Sequence, residues 1–430
     1  MRILFFATYP TQPTGYARIG NILSNTLATA GHEVHYLGIS NFPNSGIERD
    51  VHPFIHLIDA LVERAEGSTE LYGVDIISQQ IEKLQPDLVF IYNDVIVINR
   101  ILNEFINRKI KKNFKLCIYL DLVYEYQRLL YFQNIQAWAD LIYVFSACWQ
   151  ENLLRIGFRP EQIAILPHGF DSVVFQPLDS ALAKQDMGFA SDDFLILNTN
   201  RNAYRKAHDI TIEAFLLFLQ KQNYNPKIKL FLNMLTESPQ GYNLLELIKV
   251  CCLKQAADYD KVVLNHIFIR PSTTYLSEEK LNLLYNACDI GLNTCLGEGF
   301  GLCNLEHACL GKPQIITQVG ALADIFQADY ATLIQPKTTL YLSALGEDHQ
   351  GYIHICAAQD FAQALERYYL ARPFMATHGA LAQETLTKKY NWSMILERFN
   401  QRLLQLCSSV LELRSSELEL RSSVLELRSS

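Results

Sequence analysis

The stretch "LNTCLGEGFGLCNLEHACLGKP", residues 292–313, carries two acids, Glu298 and Glu306, with seven residues between them. A short apolar strand, 290–292, leads into it, glycines crowd the first acid, and a helical run begins near Leu302. Strand, glycine turn and helix in that order form half of a parallel βαβ unit. Gly299 and Gly301 let backbone amides approach a ligand closely. The free amides at the helix start attract phosphate oxygens. Glu306 falls about one turn into the helix, where it can accept hydrogen bonds from a ribose diol. Glu298, before the turn, can accept from sugar hydroxyls. Taken alone, the stretch fits equally a helix-capping acid and a surface acid.

Working outward, the pattern repeats on both sides. Strand-like runs at 3–7, 34–37, 88–91, 116–119, 141–145 and 163–166 alternate with amphipathic stretches such as 17–30 and 75–84. That alternation predicts a parallel sheet with helices on both faces. "PHGFDSVVFQP" (167–177) has proline at each end and little helical period, and reads as a linker. The alternation then restarts at 194–198, 228–232, 262–269, 290–292 and 314–316. The expected architecture is α/β, with two Rossmann-like parallel-sheet domains facing across a cleft. Residues 1–167 form the first domain, 168–190 the linker and 191–385 the second. A helix near 392–407 packs back on the first. Open α/β sheets bind ligands at the carboxyl ends of their strands, which places the cleft there.

A chain of 430 residues has room for two or three domains with sizeable cores. Hydrophobic residues make up 49% and charged residues 19%, the profile of a globular protein. The net charge of −8 argues against nucleic acid as a partner. "NRKIKKNFK" (107–115) is the strongest basic run, either a solvated helix end or a peripheral contact with an anionic membrane. The ten cysteines include no CxxC pair and read as small buried hydrophobes in a reducing compartment. The first residues read as a buried strand rather than a secretory signal, and no run reaches the ~18 apolar residues of a membrane span. A cytoplasmic, optionally membrane-peripheral, protein is expected. From Ser408, "SSVLELR" and "SSELELR" repeat at seven residues. Their leucine spacing departs from a heptad seam, so 408–430 is a disordered tail or a weakly self-associating helix.

The second domain holds a further cluster. In "LNTNRNAYRKAHD" (197–209), Arg201 and Lys206 sit on the loop after a strand. Two cations there suit a diphosphate, the guanidinium as a planar fork and the ammonium as a mobile point charge. A solvated basic turn has the same composition. Paired acids around a glycine turn, with a basic loop upstream in one domain, make the stronger combination.

Together, "NRNAYRK", "LSEEKLNLLYNACDIGLNTCLGEGFGLCNLEHACLGKPQI" and "ILPHGFDSVVFQP" resemble the hallmarks of the retaining GT-B glycosyltransferases of family 4, up to about Cys407. The resemblance implies that Arg201 and Lys206 hold the diphosphate of a nucleotide sugar and stabilise its charge as it leaves. Glu306 would bind the ribose. Glu298 and the amides of Gly299, Phe300 and Gly301 would bind the transferred sugar, and the Leu302 amide a phosphate. No cofactor or metal is implied, the nucleotide sugar being a substrate. Backbone around Arg270 would meet the base. The first domain would take a glycan, protein or lipid acceptor. There Gly15 stands where the family often has a Gly-Gly pair, and Tyr16 would line the acceptor site. Asp121 occupies a place where many members carry a histidine. It would orient the sugar or the acceptor hydroxyl, or serve the structure alone.

Two alternatives remain at this stage: a nucleotide-sugar epimerase or hydrolase, and a non-catalytic sugar-nucleotide-binding scaffold. Other tempting groups are weak. "DYD" (258–260) reads as a surface turn, and His52 and His56 lack an acid partner and flank Pro53. His168 is expected to be structural, and His307 unreactive.

Overall fold

The computed structural model describes residues 1–42, 47–66, 69–271, 276–343 and 349–408. Seven strands form the first sheet: β1 (Arg2–Thr8), β2 (Glu33–Ile39), β3 (Ile55–Asp59), β4 (Leu88–Asp94), β5 (Lys115–Asp121), β6 (Leu141–Val144) and β7 (Ile163–Ile165). All pair in parallel, in the order β3-β2-β1-β4-β5-β6-β7. The central runs are apolar at nearly every position, as strands covered on both faces must be. Ile3, Phe5, Val89, Phe90 and Ile118 are all fully buried.

The second sheet contains β8 (Phe194–Asn198), β9 (Ile228–Leu232), β10 (Ile267–Ile269), β11 (Ile290–Asn293), β12 (Gln314–Thr317) and β13 (Ala331–Ile334). Its strands are again parallel, in the order β10-β9-β8-β11-β12-β13. A separate antiparallel hairpin joins β14 (Thr338–Leu342) to β15 (Gly351–Ile355). In each sheet the chain reverses direction beside its first strand. The β8/β11 boundary is thus a switch point, where loops leaving adjacent strands diverge and open a crevice.

The chain crosses between the sheets twice, near 166–170 and 390–392. The amide of Phe170 donates to the Tyr390 carbonyl at 2.7 Å, and Gly169 lies beneath the Trp392 ring. The helix 392–408 buries Phe399, Leu403 and Cys407, one turn apart, and Phe399 packs edge-on against Phe90 of β4. All ten cysteines are unpaired, and eight are buried.

The expected strand 262–269 is corrected. Tyr259–Asn265 is helical, and only Ile267–Ile269 joins the sheet. Asp258 caps that helix, accepting from the Lys261 amide at 3.2 Å. The "DYD" triplet is therefore a helix start rather than a surface turn. The apolar run misled because a one-sided two-turn helix and a short strand share the same composition. His56 lies on β3, stacked on His35, and is not on a helix with His52. The basic run 107–115 falls at a helix end before β5, where Lys112 pairs with Asp140 at 2.9 Å. No helix among the described residues is long and apolar enough to cross a membrane. The repeats of the tail lie outside the described residues.

Candidate active site

Two loops leave the switch point of the second sheet. The loop after β8 carries Arg201, Arg205 and Lys206, and the loop after β11 carries Glu298 to Gly301. They are stitched together by backbone: the Leu296 amide donates to the Arg205 carbonyl at 2.8 Å, and the Thr294 hydroxyl to the Ala207 carbonyl at 2.9 Å. Ala207 adopts φ +48°, a left-handed conformation uncommon without glycine, which turns the chain into the helix His208–Lys221.

This stitching brings Lys206 onto Glu298. Their side chains form a buried ion pair, with 5% and 6% of each residue exposed. Arg205 approaches the other carboxylate oxygen at 3.8 Å and donates to the Gly297 carbonyl at 3.2 Å. Burial pushes the Glu298 carboxyl up, but Lys206 and then Arg205 outweigh it and hold it below the usual carboxylate range. Arg201 is not drawn into this cluster. It is exposed on the loop, and its side chain makes no ion pair among the described residues. Its carbonyl is held by His208 Nε2 at 3.1 Å.

Gly301 caps the helix Leu302–Cys309 at φ +84°, a conformation that suits glycine. A Cβ there would also lie 2.4 Å from Leu322 Cδ2. Phe300 packs against His168, centroids 4.6 Å apart, and His168 contacts the Tyr119 hydroxyl at 2.9 Å. His168 is thus a buried neutral group in an aromatic cluster, its pKa lowered to about 3 by burial and by Arg18. His307 is likewise buried, with Gln314 Nε2 at 3.1 Å from its Nδ1.

Glu306 lies one turn into that helix and is almost fully buried. Its carboxylate takes an ion pair from Arg18 of the first domain and a hydrogen bond from Tyr285 at 2.8 Å. Burial raises its pKa, offset only in part by Arg18 and Tyr285. The two acids of the opening stretch are therefore tuned in opposite directions. Arg270, at the end of β10, is buried, and its amide donates to the Leu232 carbonyl at 3.0 Å.

The first domain supplies the facing wall. Gly15 opens the helix Gly15–Thr29, capped by Thr14, whose hydroxyl accepts from the Ala17 amide at 3.1 Å. A Cβ on Gly15 would lie 3.8 Å from Leu302, so two helix starts face each other across the cleft. The Tyr16 hydroxyl donates to Asp121 Oδ2 at 2.5 Å. The other oxygen, Oδ1, is buried with no hydrogen-bond partner among the described residues and faces Gly299, where a Cβ would lie only 2.3 Å away. Burial raises the Asp121 pKa; the Tyr16 hydrogen bond and then Arg205 oppose it. Trp149 Nε1 pins the loop by donating to the Gly299 carbonyl at 2.7 Å.

Sequence reasoning missed Arg205, Arg18, Tyr285 and Trp149. Arg205 stands beside Lys206 in the same basic loop, and Arg18 three residues after Gly15, so both were within reach. Tyr285 and Trp149 carry no local signal, since each acts on a residue far along the chain.

No protein-family model matches the chain. A D-inositol 3-phosphate glycosyltransferase from Acidothermus cellulolyticus is 28% identical over 167 residues, covering 39% of this chain and 35% of that protein. Another, from Geodermatophilus obscurus, is 25% identical over 285 residues, 58% of this chain and 60% of that one. The aligned part thus spans less than two thirds of these curated relatives' own length. Among solved structures, the sucrose-phosphate synthase of Thermosynechococcus elongatus superposes with a TM-score of 0.73 at 19% identity, over 95% of this chain and 100% of that one. Anabaena HepE in complex with UDP and glucose superposes at 0.69 and 16% identity, over 94% and 100%. With two Rossmann-like parallel sheets facing across a cleft, the chain has the architecture of these GT-B glycosyltransferase structures.

Proposed function

We propose that this chain is a retaining glycosyltransferase of the family-4 type, moving a sugar from a nucleotide-diphosphate donor to an acceptor hydroxyl without a metal ion. The observation that carries this reading is the convergence at Gly299. The Glu298–Lys206–Arg205 cluster reaches it from one domain, and the half-satisfied carboxylate of Asp121 from the other. A purely structural acid would have both oxygens paired, because a buried orphan acceptor is costly.

In this reading the donor diphosphate lies against the start of the helix Leu302–Cys309, with Lys206 and Arg201 meeting its charge. Arg205 joins them, at the cost of part of its hold on Glu298. Glu306 takes the ribose diol and exchanges Arg18 for it. Glu298 accepts from hydroxyls of the transferred sugar, and the amides of Gly299, Phe300 and Gly301 fix its position. Backbone near Arg270 meets the base. The acceptor enters from the Gly15–Tyr16 side, and Asp121 Oδ1 orients its hydroxyl. The bond between the anomeric carbon and the phosphate oxygen breaks as the acceptor oxygen bonds the same face. The acceptor proton passes to the departing phosphate oxygen. Cations and helix amides already aimed at the leaving group supply the stabilisation.

The neighbours bound to UDP and glucose and to UDP-glucose make UDP-hexoses the first donors to test. In a panel of UDP- and GDP-sugars, the true donor should stabilise the fold by about 2.7 kcal/mol at a hundredfold excess over Kd, read as a rise in melting temperature. Glu298→Gln, whose amide oxygen can still accept from Lys206, should stay folded with some loss of stability and lose turnover by orders of magnitude. No shift with any nucleotide, or transfer by Glu298→Gln at the native rate, refutes the assignment. Nucleotide release that gives no glycoside with any acceptor class supports a hydrolase instead.

A further inference from the structure

Edge strand β7, the crossover at Leu166–Pro167, the end of the helix Arg372–Lys389 and one face of the helix 392–408 border a half-open cavity of about 520 Å³. It shares no residue with the cleft site. Its volume falls within the roughly 300–1,000 Å³ of small-molecule pockets.

The charge of its wall is one-sided. Lys388, Lys389, Arg398 and Arg402 line it, and no carboxylate does, in a chain whose acids outnumber its Lys and Arg by 45 to 37. Only Lys388 has an acidic partner among the described residues, Glu384 at 2.9 Å on the exposed side. Lys389 donates to the Asp324 carbonyl at 3.3 Å, and Arg402 to the Glu161 carbonyl at 3.3 Å. Arg398 forms no ion pair among the described residues. Arg398 and Arg402 are one turn apart on a single helix face, a spacing that lets two guanidinium forks converge on one group.

Gln401 and Gln405 add neutral polar groups to the wall, and much of the rest is apolar. Ile165, Leu166, Met394 and Phe399 supply aliphatic and aromatic surface, with Ile165 and Met394 about half exposed. Tyr143 contributes to the wall from β6; it is 2% exposed, and its hydroxyl is buried with no hydrogen-bond partner among the described residues.

We propose that this cavity binds a phosphate-bearing amphiphile, with the phosphate held by Arg398, Arg402 and the two lysines, and the apolar body lying on Ile165, Leu166 and Phe399. Four cations exceed what one carboxylate needs and match a phosphate dianion. A phospholipid in a membrane and a free phosphorylated amphiphile present the same chemistry.

The test uses the full chain with dodecyl phosphate as probe, inorganic phosphate as head-group control, and phosphatidylcholine vesicles with and without phosphatidic acid. Dodecyl phosphate should bind at least tenfold tighter than inorganic phosphate. Arg398→Gln/Arg402→Gln should weaken it at least tenfold, with melting temperatures near native. Vesicle binding that requires phosphatidic acid and is lost in the double variant supports the site and identifies a membrane lipid. Dodecyl phosphate binding without such vesicle binding supports the site and identifies a free ligand. Equal affinity for the two phosphates, or unchanged binding in the double variant, overturns the proposal.

Discussion

Gly299→Ala places one methyl group where the two domains meet. Its Cβ would lie 2.3 Å from Asp121 Oδ1 and 3.1 Å from the Leu122 carbonyl oxygen. Carbon and oxygen come into contact at roughly 3.3–3.6 Å, so about 1 Å must be found. Asp121 does not swing aside freely, because its other oxygen holds the Tyr16 hydroxyl at 2.5 Å and the group is buried. Turning it off its rotamer costs about 0.5–1.5 kcal/mol, and straining a hydrogen bond to a charged group adds up to about 1.5–3. Parting the domains instead is an overpacking problem, costing about 1–3 kcal/mol. The cheaper route sets the outcome, so we expect a loss of about 1–3 kcal/mol, or about 2–4 °C in melting temperature for each kcal/mol. If catalysis needs the closed geometry, turnover should fall about a hundredfold, the cost of an ångström-scale misplacement. The discriminating assay is a double-mutant cycle with Asp121→Ala, read by unfolding midpoint and by nucleotide release. Removing the carboxylate makes room for the methyl, so the double variant should regain about 1–2 kcal/mol relative to additivity, without regaining turnover. Strict additivity in stability would refute the contact at Gly299.

Three further outcomes follow from the same geometry. Lys206→Met leaves the Glu298 charge buried without its main partner and should cost about 3–5 kcal/mol, while Lys206→Met/Glu298→Gln should recover most of it; equal loss in both, by denaturant titration, would contradict the pairing. Gly320→Ala should be among the more destabilising single changes, since φ is +49° and a Cβ would lie 2.2 Å from the Glu298 carbonyl oxygen; calorimetry should show a loss of at least about 1–3 kcal/mol, and a native midpoint would count against this loop path. Stability should also fall as pH drops below about 6.5. Burial, with nearby cations, holds His168 and His307 at about 3 and His208 at about 4 in the folded chain. The unfolded chain takes up these protons first. The stability they contribute is therefore complete above the unfolded pKa and is lost toward the folded one, at up to about 1.4 kcal/mol per pH unit for each histidine. Glu298 adds loss in the same direction only within the carboxylate range, where the raised Asp121 and Glu306 act in the opposite sense. A midpoint flat between pH 6.5 and 5 would contradict this reading.

Much of the architecture could be read locally because the information is local. Continuous apolar runs such as "ILFFA" and "FLILN" fix buried strands, and their alternation with amphipathic stretches fixes parallel pairing. Gly301 before an apolar helical run marks the turn at which that helix starts. Strand β3 and the β14–β15 hairpin went unnoticed because both are half-exposed, with polar residues diluting the pattern. The strand expected at 262–269 failed for the complementary reason: a helix cap outweighed an apolar run too short to define its own period.

By itself the sequence determined the two sheets, the loops at their carboxyl ends, and the charged and glycine residues that those loops carry. It did not determine which of those residues meet. Arg201 and Arg205 lie on one loop, yet only the path of the backbone through Ala207 and Thr294 brings Arg205 to Glu298 and leaves Arg201 exposed. Asp121 and Gly299 belong to different domains, and nothing in either segment announces the other. Their contact, and the pairing of Arg18 with Glu306, depend on how two separately formed sheets dock. Local pattern is set by each residue's own preference for burial and backbone angle. Cross-domain geometry is set by the packing of whole surfaces, a property of the folded chain that no short stretch contains.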